Sequence, residues 1–441
     1  MKKILVRFFI LAVLATSLVA CVGKNGTINV QKASQFVTIE DGHFVKNGNP
    51  YYFVGANFWY GAILASTGEG GDRERLSLEL DSLQAIGVDN LRILVGGDGE
   101  NGLPSRIRPT LQMKPGIYND TILDGLDYLI AELERRDMKA VLYLNNAWEW
   151  SGGYSVYLQW AGYGKAPIPA VDGWPAYMEY VAQYMKSPEA QGLFAAHVKL
   201  ILSRFNVYTG RPYTEEPAIM SWQVANEPRC FADDNKEAFV LWTDTVTALI
   251  RSIDTNHLIS IGSEGKHGCE QDIELYEKIH QNRNVDYLNI HIWPYNWGWA
   301  SEQTLAESLD DAKTKTIAYI EEHKALAEKY SKPIVLEEFG YPRDGFRFSR
   351  ESTTTSRDEY YGFVFDYLVE QAAQRGLFAG CNFWAWGGSA KPSAEHEYWQ
   401  QGDPYTGDPA QEQQGLNSVF NTDSTMNVIR TANRRLQEIV K

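Results

Sequence analysis

Eight short apolar runs, separated by stretches of helical periodicity, set the tightest limit on how this chain can fold. The runs cover residues 52–56, 90–95, 140–144, 219–224, 258–261, 287–291, 334–337 and 380–384. Amphipathic segments lie between them at 73–86, 122–136, 192–205, 236–253, 308–329 and 357–375. Strands alternating with helices in this way predict one α/β unit, a single (β/α)8 TIM barrel. The length of 441 residues would by itself suit two or three domains. There is no internal repeat and no low-complexity linker after residue 35, which favours one barrel with insertions. Residues 36–53 add an N-terminal β-hairpin, with Asp41-Gly42 and Asn47-Gly48 as turn signals. Two long polar, aromatic insertions follow the third strand (147–187) and the eighth (387–415). Both fall on the side where strand-to-helix loops build the active face of such barrels.

The first twenty residues stand apart. Lys2, Lys3 and Arg7 precede an apolar stretch at 8–15 and then Leu18-Val19-Ala20-Cys21, the pattern of a secretory signal. The stretch is too short for a comfortable membrane span. Cys directly after Leu-Val-Ala resembles a bacterial lipobox. On that resemblance residues 1–20 are a lipoprotein signal peptide, Cys21 is the lipid anchor, 21–35 is a small, polar tether and 36–441 is the folded domain. An ordinary signal peptide followed by a chance Cys is the alternative. The expected location is the cell envelope, lipid-anchored or secreted, with the membrane face left open.

Composition narrows the partners. Acidic residues outnumber basic ones, 56 to 41, for a net charge of −15. A nucleic-acid partner is therefore not expected, since such proteins present a basic face. Membrane contact is expected through the anchor alone, and a monomer is expected. Cys230, Cys269 and Cys381 match no zinc spacing. Cys230 follows the fourth strand and Cys269 the fifth, so their loops lie side by side. A Cys230–Cys269 disulfide is expected in an oxidising compartment, with two separate thiols as the alternative.

The chemistry-bearing residues collect at strand ends. The fourth strand closes on Asn226-Glu227-Pro228-Arg229-Cys230 and the seventh on Glu337-Glu338-Phe339-Gly340. Two carboxylates on one barrel face suit glycoside hydrolysis, in which one protonates the leaving oxygen and the other attacks the anomeric carbon. A lone Glu among 56 acids would be read as a solvated loop residue. Asn-Glu-Pro and Glu-Phe-Gly together resemble glycoside hydrolase clan A. Leu91-Arg92-Ile93, His291 and Asn382-Phe383-Trp384 match further positions of that clan. The run from Ile219 to Cys230, Leu144-Asn145-Asn146-Ala147-Trp148 and Gly55-Ala56-Asn57-Phe58-Trp59 look like the β-mannanase branch of family five.

That resemblance, spanning about residues 36 to 440, implies an endo-β-1,4-mannanase with a retaining mechanism, acting on mannan, glucomannan or galactomannan. Glu227 would be the general acid/base and Glu338 the nucleophile, with adjacent Glu337 as its rival. Neighbours on a strand point to opposite faces, and the family keeps the Glu before Phe-Gly, so Glu338 is preferred. Asn226 would hydrogen-bond the sugar 2-hydroxyl, Arg92 would hold Glu338 ionised, and His291 would orient the acid/base region. Arg229 is expected to reach a sugar on the leaving-group side, or else to pair with a loop acid. The family usually carries Tyr two residues after the histidine; here Trp293 stands there, with an indole N–H in place of the phenol. Asn146, Trp59, Trp148, Trp297 and Trp384 complete the expected substrate-binding set. Trp150, Trp160, Trp174 and Trp399 fit outer subsites or loop packing equally.

No metal site and no cofactor is expected. The histidines lack His-x-His or His-Glu-x-x-His spacing, and the glycine-rich stretches at 68–71 and 96–99 lack P-loop or Rossmann spacing. A related clan member acting on glucan, an exo-acting mannan hydrolase, and a non-catalytic polysaccharide-binding lipoprotein remain as alternatives.

Overall fold

The computed structural model describes residues 35–103 and 105–440, and the backbone of Val19–Val22 and Ile28–Gln31. Those two short segments pair antiparallel, with Cys21 opposite Asn29. The Cys21 side chain and the rest of the expected signal and tether lie outside the described residues.

Eight parallel strands form the centre: β1 Phe53–Asn57, β2 Asn90–Leu94, β3 Lys139–Tyr143, β4 Ile219–Gln223, β5 Leu258–Ser260, β6 Leu288–Ile292, β7 Ile334–Phe339 and β8 Phe378–Phe383. Hydrogen-bonded neighbours run in the order β5-β4-β3-β2-β1-β8-β7-β6. Side chains and single backbone bonds bridge the seam between β5 and β6. The Asp286 N–H donates to the Ile259 carbonyl at 2.8 Å. Asn289 Oδ1 accepts from the N–H groups of Ile261 (3.1 Å) and Gly262 (2.8 Å). The molecule is thus a (β/α)8 barrel, as the alternation implies, and all eight expected strands are present within two residues of their expected ends.

Eight helices surround it: α1 Arg73–Ala85, α2 Asp120–Arg135, α3 Pro188–Leu202, α4 Lys236–Ile253, α5 Ile273–His280, α6 Leu309–Tyr330, α7 Thr355–Gln374 and α8 Thr425–Val440. Their starts are coded locally. Asp72, Asn119, Ser187 and Asp272 each accept a backbone N–H in the first turn, and Pro188 opens α3. The apolar pattern over 122–136 reappears as the buried stripe Ile122, Leu126, Leu129, Ile130 and Leu133 of α2. The expected helices did not include α5 or α8. The first is only two turns long; the second carries a helical stripe of buried apolar residues, Met426, Ile429, Ala432 and Leu436, and its Asn433 bonds both Val54 N and O and the Ile86 carbonyl.

The N-terminal hairpin is a three-stranded meander, Thr38–Glu40, His43–Lys46 and Asn49–Pro50. Asp41, Gly42, Asn47 and Gly48 all have positive φ, the requirement of two-residue hairpin turns. Phe44 from this meander packs on Phe53 and Tyr287, so it covers the end of the barrel where the strands begin. Cys230, Cys269 and Cys381 are buried free thiols. The expected disulfide is absent. Cys230 Sγ instead lies 3.9 Å from Glu270 Oε1. Burial raises both thiols, Cys230 to about 11, so little thiolate exists to start oxidation.

Candidate active site

At the C-terminal ends of the strands, a cleft of about 630 Å³ is lined by Trp148, Trp150, Asn226, Glu227, Arg229, Glu264, Trp293, Trp297, Glu338 and Trp384, among others. That volume is ordinary for a small-ligand site.

β3 and β4 stay paired beyond their last strand residues. Asn226 N donates to the Asn145 carbonyl (2.8 Å), and Ala147 N to the Asn226 carbonyl (3.0 Å). This brings Asn226 and Glu227 out at the barrel mouth. Glu227 N donates to the Gly262 carbonyl (2.9 Å), and Glu227 has φ +48, a left-handed conformation rare for a side chain of its size. Gly262, at φ +82, allows this close approach: a Cβ there would lie 1.9 Å from the Ala225 carbonyl oxygen.

Arg92 on β2 is fully buried and fixes the floor. Nε donates to Gln223 Oε1 (2.8 Å), Nη1 to Asn57 Oδ1 (3.1 Å) and to Glu338, and Nη2 to Asn226 Oδ1 (2.8 Å). Its guanidinium also stacks 4.3 Å from the Tyr143 ring centre. Four N–H donors are spent on protein and the side chain is not part of the cleft lining, so Arg92 positions other groups.

Glu338 lines the cleft, and Glu337 sits one layer deeper. Glu337 accepts from Gln223 Nε2 (2.6 Å) and the Tyr287 hydroxyl (3.3 Å), and burial lifts it to about 7. Simple strand alternation is not what separates the two. Ile290 pairs with Leu336 and His291 with Glu338, leaving Glu337 as an extra residue. This bulge lets both carboxylates approach Arg92.

His291 Nδ1 stands 2.8 Å from Glu227 Oε1 and 3.4 Å from Glu338 Oε2. Burial, with Arg92 nearby, holds its pKa well below the usual value, so it is neutral. Facing two carboxylates, Nδ1 carries the proton. Burial raises both carboxyls. At Glu338 the touching guanidinium of Arg92 opposes that rise. At Glu227 the opposition comes from Arg229 and from the Trp148 indole, whose N–H donates at 2.5 Å. One oxygen or nitrogen from each of Glu227, His291 and Glu338 lies within 4.8 Å of the others, the one such group among the described residues with metal-like spacing. The fixed positive charge of Arg92 against Glu338 works against a second cation there.

Several expected substrate contacts have other duties. Trp59 is 3% exposed, and its indole donates to the Gly407 carbonyl (2.8 Å). It packs behind Trp150, a cleft residue left unassigned by sequence reasoning. Asn146 is buried and orients neighbours: Oδ1 accepts from Trp148 N (3.0 Å) and Asn226 Nδ2 (3.2 Å). Arg229 borders the cleft, but its Nε and Nη2 both donate to Glu264, the loop-acid pairing. Trp293 lines the cleft, and its indole favours the ionised form of Glu227. A Cβ on Gly340 would lie 2.8 Å from the Trp293 ring. Trp148, Trp297 and Trp384 line the cleft as expected.

Sequence reasoning missed Gln411 and Glu412, in the insertion after β8. Both line the cleft, and Glu412 Oε2 and Gln411 Oε1 are buried without a partner. Burial, Asp408 and Glu227 lift Glu412 to about 8. Trp384 Nε1 is also buried and unpartnered. Polar loop residues have no periodicity, so nothing in the sequence set these apart from solvated ones.

A parallel barrel whose strand ends hold two close, buried carboxylates in an aromatic-walled cleft defines a glycoside hydrolase. Comparison with known proteins places it more narrowly. The profile of "GH family 5 beta-mannosidase-like" proteins matches residues 34–441. The chain therefore belongs to glycoside hydrolase family 5. A family 5 mannosidase from Rhizomucor miehei, crystallised as a variant with mannosyl-fructose, is 33% identical, with a TM-score of 0.85, covering 92% of this chain and 98% of that one. Mannan endo-1,4-β-mannosidase 1 of Oryza sativa subsp. japonica is 28% identical over 364 residues, 79% of this chain and 78% of the relative. An endo-β-1,4-mannanase from Thermotoga petrophila, 24% identical with a TM-score of 0.65 over 88% of this chain and 78% of that one, shares the fold.

Proposed function

We propose that this protein hydrolyses β-1,4-mannosidic linkages with retention of configuration, releasing mannose from chain ends. The observation that carries the reaction class is the close set of Glu227, His291 and Glu338, with atoms within 4.8 Å of one another. Inverting enzymes hold their carboxyls roughly 6.5–9.5 Å apart to admit a water; retaining ones hold them at about 5–5.5 Å.

Contact with Arg92 favours the ionised form of Glu338. Glu338 attacks the anomeric carbon while the bond to the leaving oxygen breaks, and the proton of Glu227 passes to that oxygen. Once Glu338 is esterified its charge is gone, and the neighbouring Glu227 can ionise without a second anion beside it. It then accepts a proton from water, whose oxygen takes the anomeric carbon and frees Glu338. Asn226, oriented by Arg92 and Asn146, is placed to meet the 2-hydroxyl.

The buried, unpartnered Glu412 and Gln411 oxygens favour a chain end over a chain interior. A terminal sugar brings free hydroxyls to pair with both, the Glu412 carboxyl and the Gln411 amide oxygen, whereas an internal sugar has its 4-hydroxyl substituted. Leaving such groups unsatisfied costs about 1–3 kcal/mol each. The β-mannosidase-like profile and the likeness to the Rhizomucor mannosidase also support this mode. Endo cleavage, the mode implied by sequence, is supported by the plant mannanases. Digestion of β-1,4-mannohexaose separates them: mannose and mannopentaose in equal amounts are the expected early products, and a spread of mannobiose, mannotriose and mannotetraose would reverse the assignment. Proton NMR should show the β-anomer first, and cellohexaose should be a poor substrate.

The lipid anchor at Cys21 belongs to the same proposal and rests on the sequence. Cys21→Ser should move the enzyme from membranes to the soluble fraction with its activity intact; a variant that still sediments with membranes would exclude the anchor.

A further inference from the structure

Two buried carboxyls share one guanidinium at the floor of the barrel, and the reaction uses only one of them. Glu338 touches Arg92 directly, while Glu337 Oε2 stands 3.8 Å from Arg92 Nε. The amide of Gln223 keeps that second carboxyl off the guanidinium. Its Oε1 accepts from Arg92 Nε at 2.8 Å, and its Nε2 donates to Glu337 Oε2 at 2.6 Å and to Ser260 Oγ at 3.0 Å. With both amide hydrogens engaged on one side, the carbonyl oxygen is turned towards Arg92. Exchanging oxygen and nitrogen would set donor against donor at Arg92.

The ionisable groups that face Glu337 come from several elements. They are Arg92 on β2, Glu338 on its own strand, Tyr287 just before β6 and Tyr276 on α5. Burial holds both phenols well above their usual range, so they stay neutral. The full positive charge opposite Glu337 is therefore the guanidinium that Glu338 already occupies. Two anions against one cation, all buried, leave a charge uncompensated, which is strongly unfavourable. The proton belongs on the carboxyl whose direct contacts are neutral, and that is Glu337. Burial raises it to about 7.

We propose that Glu337 is a positioning residue: neutral, it locks Gln223 and leaves the guanidinium of Arg92 to Glu338 and Asn226; ionised, it pulls Arg92 towards itself and loosens both contacts. It does not line the cleft, so it acts only through Gln223 and Arg92. The role rests on the retaining-hydrolase reading above, in which Glu338 attacks and Asn226 meets the 2-hydroxyl. Misplacing such groups by about 1 Å can cost on the order of 10²-fold in rate. Full turnover thus belongs to molecules in which Glu337 holds its proton.

The test reads kcat/KM against pH with 2,4-dinitrophenyl β-mannoside, whose leaving group needs no proton from Glu227. In the wild type it should fall about tenfold from pH 5 to pH 8, as the neutral fraction of a group titrating near 7 is lost. Glu337→Gln keeps the shape and cannot ionise, so its fall over the same interval should shrink below about twofold. Glu337→Ala should show the same flattened profile at a lower rate throughout, because Gln223 is unlocked. In the unmutated protein, the ¹⁵N signal of Arg92 Nε should titrate with the midpoint of the kinetic profile. Equal falls in the wild type and Glu337→Gln, or an Arg92 signal that stays still between pH 5 and pH 8, would overturn the role. If dinitrophenol is released from the β-glucoside and not from the mannoside, the mannoside reading fails, and the same pH ratio on the glucoside decides Glu337. If neither is cleaved, the hydrolase reading fails, and the Arg92 signal alone decides whether Glu337 governs the guanidinium.

Discussion

Glu227 and Glu338 differ in what touches them, and that difference should be visible in variants. Glu338→Ala should remove glycosyl-enzyme formation altogether, checked by mass spectrometry with a slow fluoro-sugar. Glu227→Ala should cost about 10²–10⁴-fold on mannobiose yet far less on aryl mannosides with good leaving groups, which need little protonation. Equal damage on both substrates would remove Glu227 from the acid role. Arg229→Ala should chiefly destabilise, because it strands the buried carboxylate of Glu264. Breaking such a pair costs about 3–5 kcal/mol, readable by chemical denaturation. Much of this residue-level picture was legible beforehand. Asn226, Glu227, Arg92, His291 and Glu338 sit where strand-end motifs put them. Trp59 and Asn146 were misread because a motif fixes a backbone position and says little about which way the side chain turns. Glu412 was invisible because its burial depends on a loop folding back over the cleft.

At the scale of elements, the loop after β2 and the insertion after β3 are locked together through Asp98. Its N–H donates to the Ser151 carbonyl (2.8 Å), and its carboxylate accepts from the Tyr157 hydroxyl (3.3 Å). Burial raises this carboxyl to about 7. Folding therefore favours the protonated form, and the contribution is full below the unfolded pKa near 4 and lost as pH rises through about 7. Asp98→Asn should flatten the decline in Tm between pH 5 and pH 8; an unchanged profile would remove Asp98 as its source. Strands and long helices were readable because burial on both faces, or on one stripe, leaves a period in the sequence. The bulge at Glu337 left none, since it inserts one residue into an otherwise regular run. The short helices of the insertion pack through scattered rings such as Tyr177 and Trp174, which carry no helical rhythm.

The whole barrel closes without a strand ladder between β5 and β6. Asn289→Ala would strand the N–H groups of Ile261 and Gly262 and should cost about 2–5 kcal/mol. Hydrogen exchange should quicken first at 258–262; uniform change across the barrel would argue that closure lies elsewhere. The side-chain bonds of Arg92 tie this architecture to time as well as space. It hangs from β2, yet its acceptors come from β1, β4 and β7, residues as far apart in the chain as Asn57 and Glu338. A chain emerging from synthesis would carry this guanidinium without its carboxylate partner Glu338 until the seventh strand arrives, and an unpaired buried charge is strongly unfavourable. An autonomous half-barrel ending after β4 is thereby penalised, and refolding should restore the hydrolytic centre in the same kinetic phase that completes the sheet, with no inactive but fully closed species preceding it.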